Sequence, residues 1–148
     1  MRWQRIAIII AFVLAFATNA QSAKIVKVLP QFLDLKGRNS ISPSLFDRDA
    51  YQVVLRDNPD KRSGIRFGVQ WKAPPFDVLT LRIEAKGVKG KQPQLITLER
   101  PVKPGLYSQW TSATLGGERY AGFGDMVSWR ATLLDGTNVI AEQKSFLW

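Results

Sequence analysis

The feature that most constrains the fold of this chain is a strict alternation of apolar residues with polar residues or glycine. Two segments show it, residues 64–72 and 78–86. Their apolar positions are Ile65, Phe67, Val69 and Trp71 in the first segment, and Leu79, Leu81, Ile83 and Ala85 in the second. Successive side chains of a β-strand point to opposite faces, so each segment predicts a strand with one buried and one solvated face. That pattern is typical of antiparallel sheets.

Five further segments complete a set of about seven short strands. They span residues 24–35, 94–100, 107–115, 126–134 and 139–147. Pro30 interrupts the first segment and favours a bent strand or a sheet edge. In the fourth, the alternation predicts that Val127, Trp129, Ala131 and Leu133 point inward. The Asp135-Gly136 pair that follows is a typical hairpin turn.

One helix is predicted, over residues 43–57. Ser42 is a suitable N-cap, Pro43 suits the first helical position, and Asn58-Pro59 ends the helix. Two faces are expected. Phe46, Ala50, Val53 and Val54 share the face predicted to lie on the core, flanked by Tyr51 and Leu55. The face predicted to lie in water holds Arg48, Asp49, Gln52 and Arg56.

The first 23 residues are predicted to be a Sec-type signal peptide. Arg2 and Arg5 precede the unbroken apolar run of residues 6–16, and small polar residues follow up to Ala20 and Ala23, the two candidate cleavage positions. A secreted or periplasmic location follows, with no stable membrane span after cleavage. The alternative is a membrane anchor formed by an uncleaved N-terminal segment. The rest, residues 24–148, has the length of one domain.

These elements predict a mainly β fold: an antiparallel β-sandwich of about seven strands with one amphipathic surface helix. The Trp71 strand, the segment 127–136 (VSWRATLLDG) and the ending AEQKSFLW resemble the immunoglobulin-like or fibronectin type III-like sandwiches of small exported bacterial proteins. The resemblance covers residues 65–148 and is architectural. The inter-sheet cysteines of antibody domains are missing, and the helix is an addition. Such a resemblance implies a fold and no function.

The composition excludes several kinds of catalytic site. The chain has no His and no Cys, so a Ser-His-Asp triad, a thiolate zinc site and a cysteine nucleophile are all excluded. Two close carboxylate pairs remain, Asp47 with Asp49 and Asp57 with Asp60. Nothing in the sequence places either pair across a cleft, as a glycosidase requires. We therefore expect a non-enzymatic protein, without catalytic residues, bound metal or cofactor.

Positive charge is the next candidate for function. The formal net charge of +9 falls to about +7 once Arg2 and Arg5 are removed with the signal peptide. Lys86, Lys89 and Lys91 crowd one predicted loop, KGVKGK. A second group is Arg56, Lys61, Arg62 and Arg66. Such groups suit an acidic polysaccharide, anionic lipid or an acidic protein, whereas no nucleic-acid-binding fold is recognised. The alternative is that lysines protect a loop and an edge from unwanted pairing.

Aromatic residues supply the last candidates. Trp71 and Trp129 are in phase with the apolar faces of their strands and are expected in the core. Four others lie in less regular sequence, where a ring can stay exposed: Tyr107, Trp110, Tyr120 and Phe123. Exposed rings stack on sugars or anchor protein interfaces, and the alternative for each is packing in the core or against a loop. The glycine-rich residues 116–124 are expected to form a flexible connection.

The function predicted from these features is an exported binding or assembly module. It would recognise a protein or cell-envelope partner, acidic in character, through exposed aromatic and basic residues. The alternative is a carbohydrate-binding accessory domain of an exported glycan-active system.

Overall fold

The structure, a computed structural model, describes residues 22–148. The predicted signal peptide therefore lies almost wholly outside the described residues. Within residues 22–148, no helix combines the length and the apolar character needed to cross a membrane.

Seven antiparallel strands form two packed sheets, which confirms the predicted mainly β sandwich. The three-stranded sheet has the order β1-β2-β5, and the four-stranded sheet has the order β4-β3-β6-β7. The strands are β1 (Lys24–Asp34), β2 (Arg62–Lys72), β3 (Leu79–Lys89), β4 (Gln92–Val102), β5 (Gln109–Gly116), β6 (Asp125–Asp135) and β7 (Asn138–Lys144). Two α-helices, α1 (Leu45–Asp57) and α2 (Gly117–Phe123), and a short 3-10 helix (Pro59–Lys61) join them.

The core lies between the two sheets and uses the alternating positions of β2 and β3. Phe67, Val69 and Ile83 are completely buried, and Trp71 is 1% exposed. The Trp71 indole N–H donates to Thr111 Oγ1 at 2.9 Å, so its polar atom is satisfied in the core. The prediction from alternation is confirmed for both strands.

Strand β1 lies at a sheet edge, as Pro30 predicts. It pairs with β2 alone, with a bulge between Ile25 and Lys27. The free side of the strand is covered at Phe32 by a side chain of α1. Gln52 accepts from the Phe32 backbone N–H at 2.7 Å and donates to the Phe32 carbonyl at 2.9 Å. The amide thus imitates a neighbouring strand and closes part of the edge.

The orientation predicted for the helix is wrong. Leu55 is its buried residue, whereas Phe46, Val53 and Val54 are 81%, 47% and 42% exposed. The reason is that α1 packs on a strand edge, where unpaired peptide groups favour polar partners, and Gln52 supplies them.

The start of the helix is corrected as well. It begins at Leu45, two residues later than predicted, and its N-cap is Ser44 in place of Ser42. The Ser44 hydroxyl accepts from the Asp47 backbone N–H at 3.4 Å. Both serines precede the helix in a suitable position, so the sequence pattern did not distinguish them. The predicted end at Asp57 is confirmed.

The glycine-rich residues 116–124 are not the flexible connection that was predicted. They contain α2, and its last residue, Phe123, is 1% exposed. The Phe123 ring lies against Gly87, where an added Cβ would come within 2.8 Å of it. Gly124 ends the helix at a φ of 77°, a left-handed conformation that favours glycine. These glycines therefore permit close packing.

Strand β6 departs from the predicted alternation at its start. A register shift between Lys86 and Gly87 of β3 leaves Val127 of β6 outside the pairing and 47% exposed. Further along, Ala131 and Leu133 are buried as predicted, and Trp129 packs partly buried against the core. The bulge therefore places Val127 on the outer surface of the four-stranded sheet.

Candidate functional site

The seven residues predicted to form binding surfaces lie in three separate places. Tyr107 lies in the loop before β5 and Trp110 lies near the start of that strand. Tyr120 and Phe123 lie on α2, and the three lysines lie at the β3–β4 hairpin. The structure does not bring the four aromatic residues together on one surface.

The α2 aromatics are poorly suited to bind a partner. Phe123 belongs to the core, and Tyr120 is half-buried against it. Burial raises the pKa of the Tyr120 hydroxyl above its ordinary value. The two rings therefore hold α2 on the sandwich and contribute little exposed surface.

The three lysines were predicted to lie in one loop, and the structure corrects this. Lys86 and Lys89 belong to β3, and Lys91 follows Gly90 in the tight turn that leads into β4. The Lys86 ammonium lies 4.0 Å from the centre of the Trp148 ring. Lys89 donates to the backbone carbonyl of Ala121. Of these three lysines, Lys91 alone extends from the hairpin without such a contact to another described residue.

Trp110 is the exposed aromatic residue with the most organised surroundings. It is 53% exposed and lies on the outer surface of the three-stranded sheet, opposite Gln70. Its ring rests over Gly68, since a Cβ added at Gly68 would lie 3.6 Å from the ring. The glycine thus leaves a shallow place in which the indole is supported on one side and open on the other.

The residues around Trp110 form a regular grid on this surface. Cross-strand partners share a face of a sheet, and the outward-pointing triplets run from β1 through β2 to β5. They are Lys27, Gln70 and Trp110; Leu29, Gly68 and Ser112; and Gln31, Arg66 and Thr114. Lys24 and Lys72 form a further pair at the Trp110 end of the grid. We call this grid with its terminal lysine pair the basic face.

All four charged residues of the basic face are cations. They are Lys24, Lys27, Arg66 and Lys72. Within residues 22–148, none of them has a carboxylate oxygen within 4.0 Å. Arg66 instead donates to the Gln31 side-chain oxygen at 3.4 Å. Lys24 and Lys72 lie directly opposite each other, an arrangement of like charges that opposes strand pairing.

A small hollow adjoins the basic face beside Trp110. It has a volume of about 250 Å³ and is lined by Lys72, Ala73 and residues 105–108. Tyr107, 82% exposed, is part of its wall. Ser108 accepts a hydrogen bond from Gln70 at 3.2 Å, which joins the hollow to the grid. Amides, hydroxyls and cations therefore surround the open side of the indole.

The outer surface of the four-stranded sheet is organised differently. Arg82 meets Glu99 at 2.6 Å, and Arg130 meets Glu84 at 2.7 Å. Arg130 also lies 3.9 Å from Glu142. We call this surface the paired face, because its arginines have carboxylate partners on neighbouring strands.

The last residues of the chain cover part of the paired face. Strand β7 ends at Lys144, three residues before the predicted end, and the Ser145 N–H donates to the Trp129 carbonyl at 2.9 Å. Trp148 then lies against the Lys86 ammonium and, at 4.8 Å, the Arg130 guanidinium. These cation–π contacts further reduce the free positive charge of this surface.

Asp34 forms a buried polar lock where β1 ends. Its carboxylate accepts from the backbone N–H groups of Lys36 and Arg38 at 2.8 and 2.9 Å, from the Arg38 side chain at 3.0 Å, and from the Tyr51 hydroxyl at 2.7 Å. Burial opposes the charged form, but these hydrogen bonds outweigh it and hold the Asp34 pKa well below its usual range. The hydrogen bond to Asp34 also raises the Tyr51 pKa.

This lock has a structural explanation. All the donors around Asp34 belong to the loop and helix that follow β1, so the carboxylate fixes the position of α1. The other carboxylates considered from the sequence, Asp47, Asp49, Asp57 and Asp60, are exposed. Within residues 22–148, no three acidic side chains come together as possible ligands of a metal ion.

Sequence reasoning identified Trp110 but missed the lysines around it. Lys24, Lys27 and Lys72 are scattered in sequence and form no charge run. They meet because β1 and β2 pair with Lys24 opposite Lys72 and Lys27 opposite Gln70. A usable signal was present, since the polar positions of alternating strands must share a face. The strand pairing needed to apply it was not evident from the sequence.

Comparisons with known proteins support the fold. No protein-family model matches the chain, and no curated protein matches it. Among solved structures, the crystal structure of a protein from Akkermansia muciniphila is similar, with a TM-score of 0.54 and 12% identity. The match covers 84% of this chain and 69% of that chain. At this level of identity the likeness shows the fold alone.

Proposed function

We propose that this protein is a non-enzymatic binding module that recognises an acidic polysaccharide through the basic face. The observation that carries the proposal is an open Trp110 indole on a sheet face whose four charged residues are all cations without a carboxylate partner among the described residues. An indole face stacks on the apolar face of a sugar ring, and amides and hydroxyls bond its hydroxyl groups. Ammonium and guanidinium groups pair with carboxylate or sulfate substituents.

The shape of the basic face also favours an extended polymer. The grid has three rows on adjacent strands and includes a glycine at its centre, so it has no deep cleft of the kind that encloses a small ligand. An extended chain can contact Trp110, Arg66 and the lysine pair at the same time. Several weak contacts along one polymer then add up to useful affinity.

The proposal includes a location outside the cytoplasm. It rests on the predicted signal peptide, residues 1–23, and on acidic polymers being components of cell envelopes. The immunoglobulin-like or fibronectin type III-like character of the sandwich belongs to the proposal too, because such sandwiches present binding surfaces on stable scaffolds. Determination of the N-terminal residue of protein recovered from the producing cell tests the export step.

The binding experiment compares polymers that differ in charge. We expect polygalacturonate and alginate to retard the protein in affinity gels, and neutral dextran to leave it unretarded. Retardation should weaken as salt is raised, because the cations are exposed. Poly-aspartate serves as an acidic chain without sugar rings. Binding of poly-aspartate as strong as that of polygalacturonate would identify an acidic protein as the partner and overturn the polysaccharide proposal.

Variants separate stacking from charge. Trp110→Ala should weaken polygalacturonate binding at least about tenfold, a loss typical of a central aromatic contact, while Trp110→Phe keeps part of it. Lys27→Gln with Lys72→Gln should reduce both affinity and salt dependence. The matched control is Lys61→Gln with Lys103→Gln, which removes the same charge from exposed positions outside the basic face. Equal effects of the two double variants would show that net charge alone is responsible.

A further inference from the structure

Helix α1 presents to solvent the face that a helix ordinarily buries. Phe46 and Val53 are seven residues apart and therefore lie on one side of the helix, with Val54 beside them. They are 81%, 47% and 42% exposed. The opposite side holds Gln52 against β1 and buries Leu55 at 1% exposure. Val53 also lines a hollow between the helix and β1, whereas Phe46, the largest of the three side chains, stays open to solvent in the described structure.

This apolar side carries negative charge near Phe46. Asp47 and Asp49 follow Phe46 in the chain and are exposed, and Arg48 pairs with Asp49 at 2.9 Å. The helix as a whole holds three carboxylates and two guanidinium groups. It is an acidic element in a strongly basic chain.

A groove with positive charge at its margin lies on the outer surface of the four-stranded sheet. It has a volume of about 490 Å³, and its lining is mostly apolar: Val88, Pro93, Leu95 and Val127, with Lys86, Gly87 and Gln94. Leu95 is 62% exposed and Val127 is 47% exposed. Val127 reaches the groove because of the bulge in β6.

The margin of the groove is basic. Lys86 lines it, and Lys91 lies in the turn of the same hairpin, whereas Lys89 points to the other face and donates to the Ala121 carbonyl. Asp125, which pairs with Val88, is an acidic residue at the same end of the sheet. Two lysines, Lys86 in the lining and Lys91 in the adjoining turn, therefore give this end of the groove a positive character. The groove suits an apolar side chain accompanied by acidic residues, which is the pattern around Phe46.

We propose that α1 of one molecule binds in this groove of a second copy of the chain. Phe46 would enter between Leu95 and Val127, with Asp47 and Asp49 near the hairpin lysines. Within one molecule the two surfaces cannot meet, because α1 lies on the edge of the three-stranded sheet and the groove lies outside the other sheet. A symmetric contact of either surface with itself would oppose like charges. The complementary pair instead gives head-to-tail association.

A helix seated in a shallow groove forms a small interface, so the association should be weak. We expect a dissociation constant on the order of tens of micromolar. In sedimentation equilibrium of the protein comprising residues 24–148, apparent mass should rise with concentration between about 10 and 500 µM. The rise should diminish as salt is increased. A constant monomer mass over this range would overturn the proposal.

Two variants provide a specific test of the head-to-tail arrangement. Phe46→Asp disables the helix surface and leaves the groove, whereas Leu95→Asp disables the groove and leaves the helix. Each variant alone should remain a monomer. Mixed in equal amounts, they should form a dimer that grows no further, because one intact surface remains on each partner. Association of either variant alone, or no dimer in the mixture, would contradict the proposed contact.

The control is Phe146→Asp, which places the same charge at a fully exposed phenylalanine that is neither on α1 nor in the lining of the groove. It should associate as the unmodified protein does. Far-UV circular dichroism and urea unfolding of all variants establish that they are folded. Phe46 and Leu95 are both exposed, so their replacement should leave the core intact.

Discussion

The two outer faces of the sandwich differ in whether their positively charged side chains have carboxylate partners. On the paired face, Arg82 and Arg130 meet carboxylates on neighbouring strands, and Trp148 covers Lys86. On the basic face, Lys24 and Lys72 face each other, and no carboxylate of the described chain lies within 4.0 Å of any cation there. Both faces belong to antiparallel sheets of similar strand length.

The difference separates charge that stabilises the fold from charge that does not. Cross-strand ion pairs contribute modestly to sheet stability, and like charges in the same positions oppose it. The cations of the basic face therefore form no ion pair with another described residue, and an anionic ligand would supply the missing partner. The paired face has less free charge to offer such a ligand.

The largest expected effect tests the one acidic residue on the strands of the three-stranded sheet. Asp34 directs its carboxylate to the loop and α1, away from the basic face. Asp34→Ala leaves buried donors unpaired and should lower the free energy of unfolding by about 3 kcal/mol. Urea denaturation measures this change. The control is the exposed Asp60→Ala, and equal stabilities of the two variants would show that the Asp34 contacts are unimportant.

The same lock should make stability depend on pH. The Asp34 pKa is lowered in the folded protein, so its contribution is fully present above the unfolded pKa of about 3.9 and is lost as pH falls below that value. The stability difference between the unmodified protein and Asp34→Ala should therefore be constant near pH 7 and shrink below about pH 4. Urea denaturation at several pH values measures it. A difference that grew on acidification would reverse the assigned sign.

A smaller effect is expected on the paired face. Glu84→Gln removes the partner that Arg130 contacts at 2.7 Å and leaves Glu142 at 3.9 Å. Because Glu84 is 18% exposed, the loss should be about 1 kcal/mol in the free energy of unfolding, and smaller in high salt. The exposed Glu118→Gln is the matched control. If both substitutions change stability equally, the paired face has no special contribution from its ion pairs.

The sequence predicted the sandwich well because its main signal is local. Alternation in β2 and β3 needs only neighbouring residues, and both strands have the expected buried sides. The helix orientation failed because apolar periodicity assumes that a helix packs on an apolar surface. Here Gln52 packs on a strand edge, and its contacts with Phe32 join residues 20 positions apart.

The candidate site was only partly predictable for the same reason. Trp110 stood out as an aromatic residue in irregular sequence, but its support by Gly68 depends on pairing of β2 with β5. Lys24 and Lys72 are 48 positions apart in the chain and meet through strand register. Val127 lines the groove because of a bulge, and no residue of β6 predicts that bulge. The alternation within one strand thus predicts which side chains share a side of that strand. The pairing between strands decides which residues of different strands come together on one face of the sheet.

The smallest expected effect has the opposite sign and bears most directly on the basic face. Lys72→Gln relieves the repulsion from Lys24, so it should raise the free energy of unfolding by about 0.3 kcal/mol in low salt. Lys24→Gln should do the same, and the double variant should gain less than the sum, because the repulsion can be removed only once. Urea denaturation at low salt measures the coupling, which should vanish near 1 M salt. If the gain in the free energy of unfolding persisted at that salt concentration, it would come from side-chain packing. The lysine pair would then carry no electrostatic repulsion that an anionic ligand could relieve.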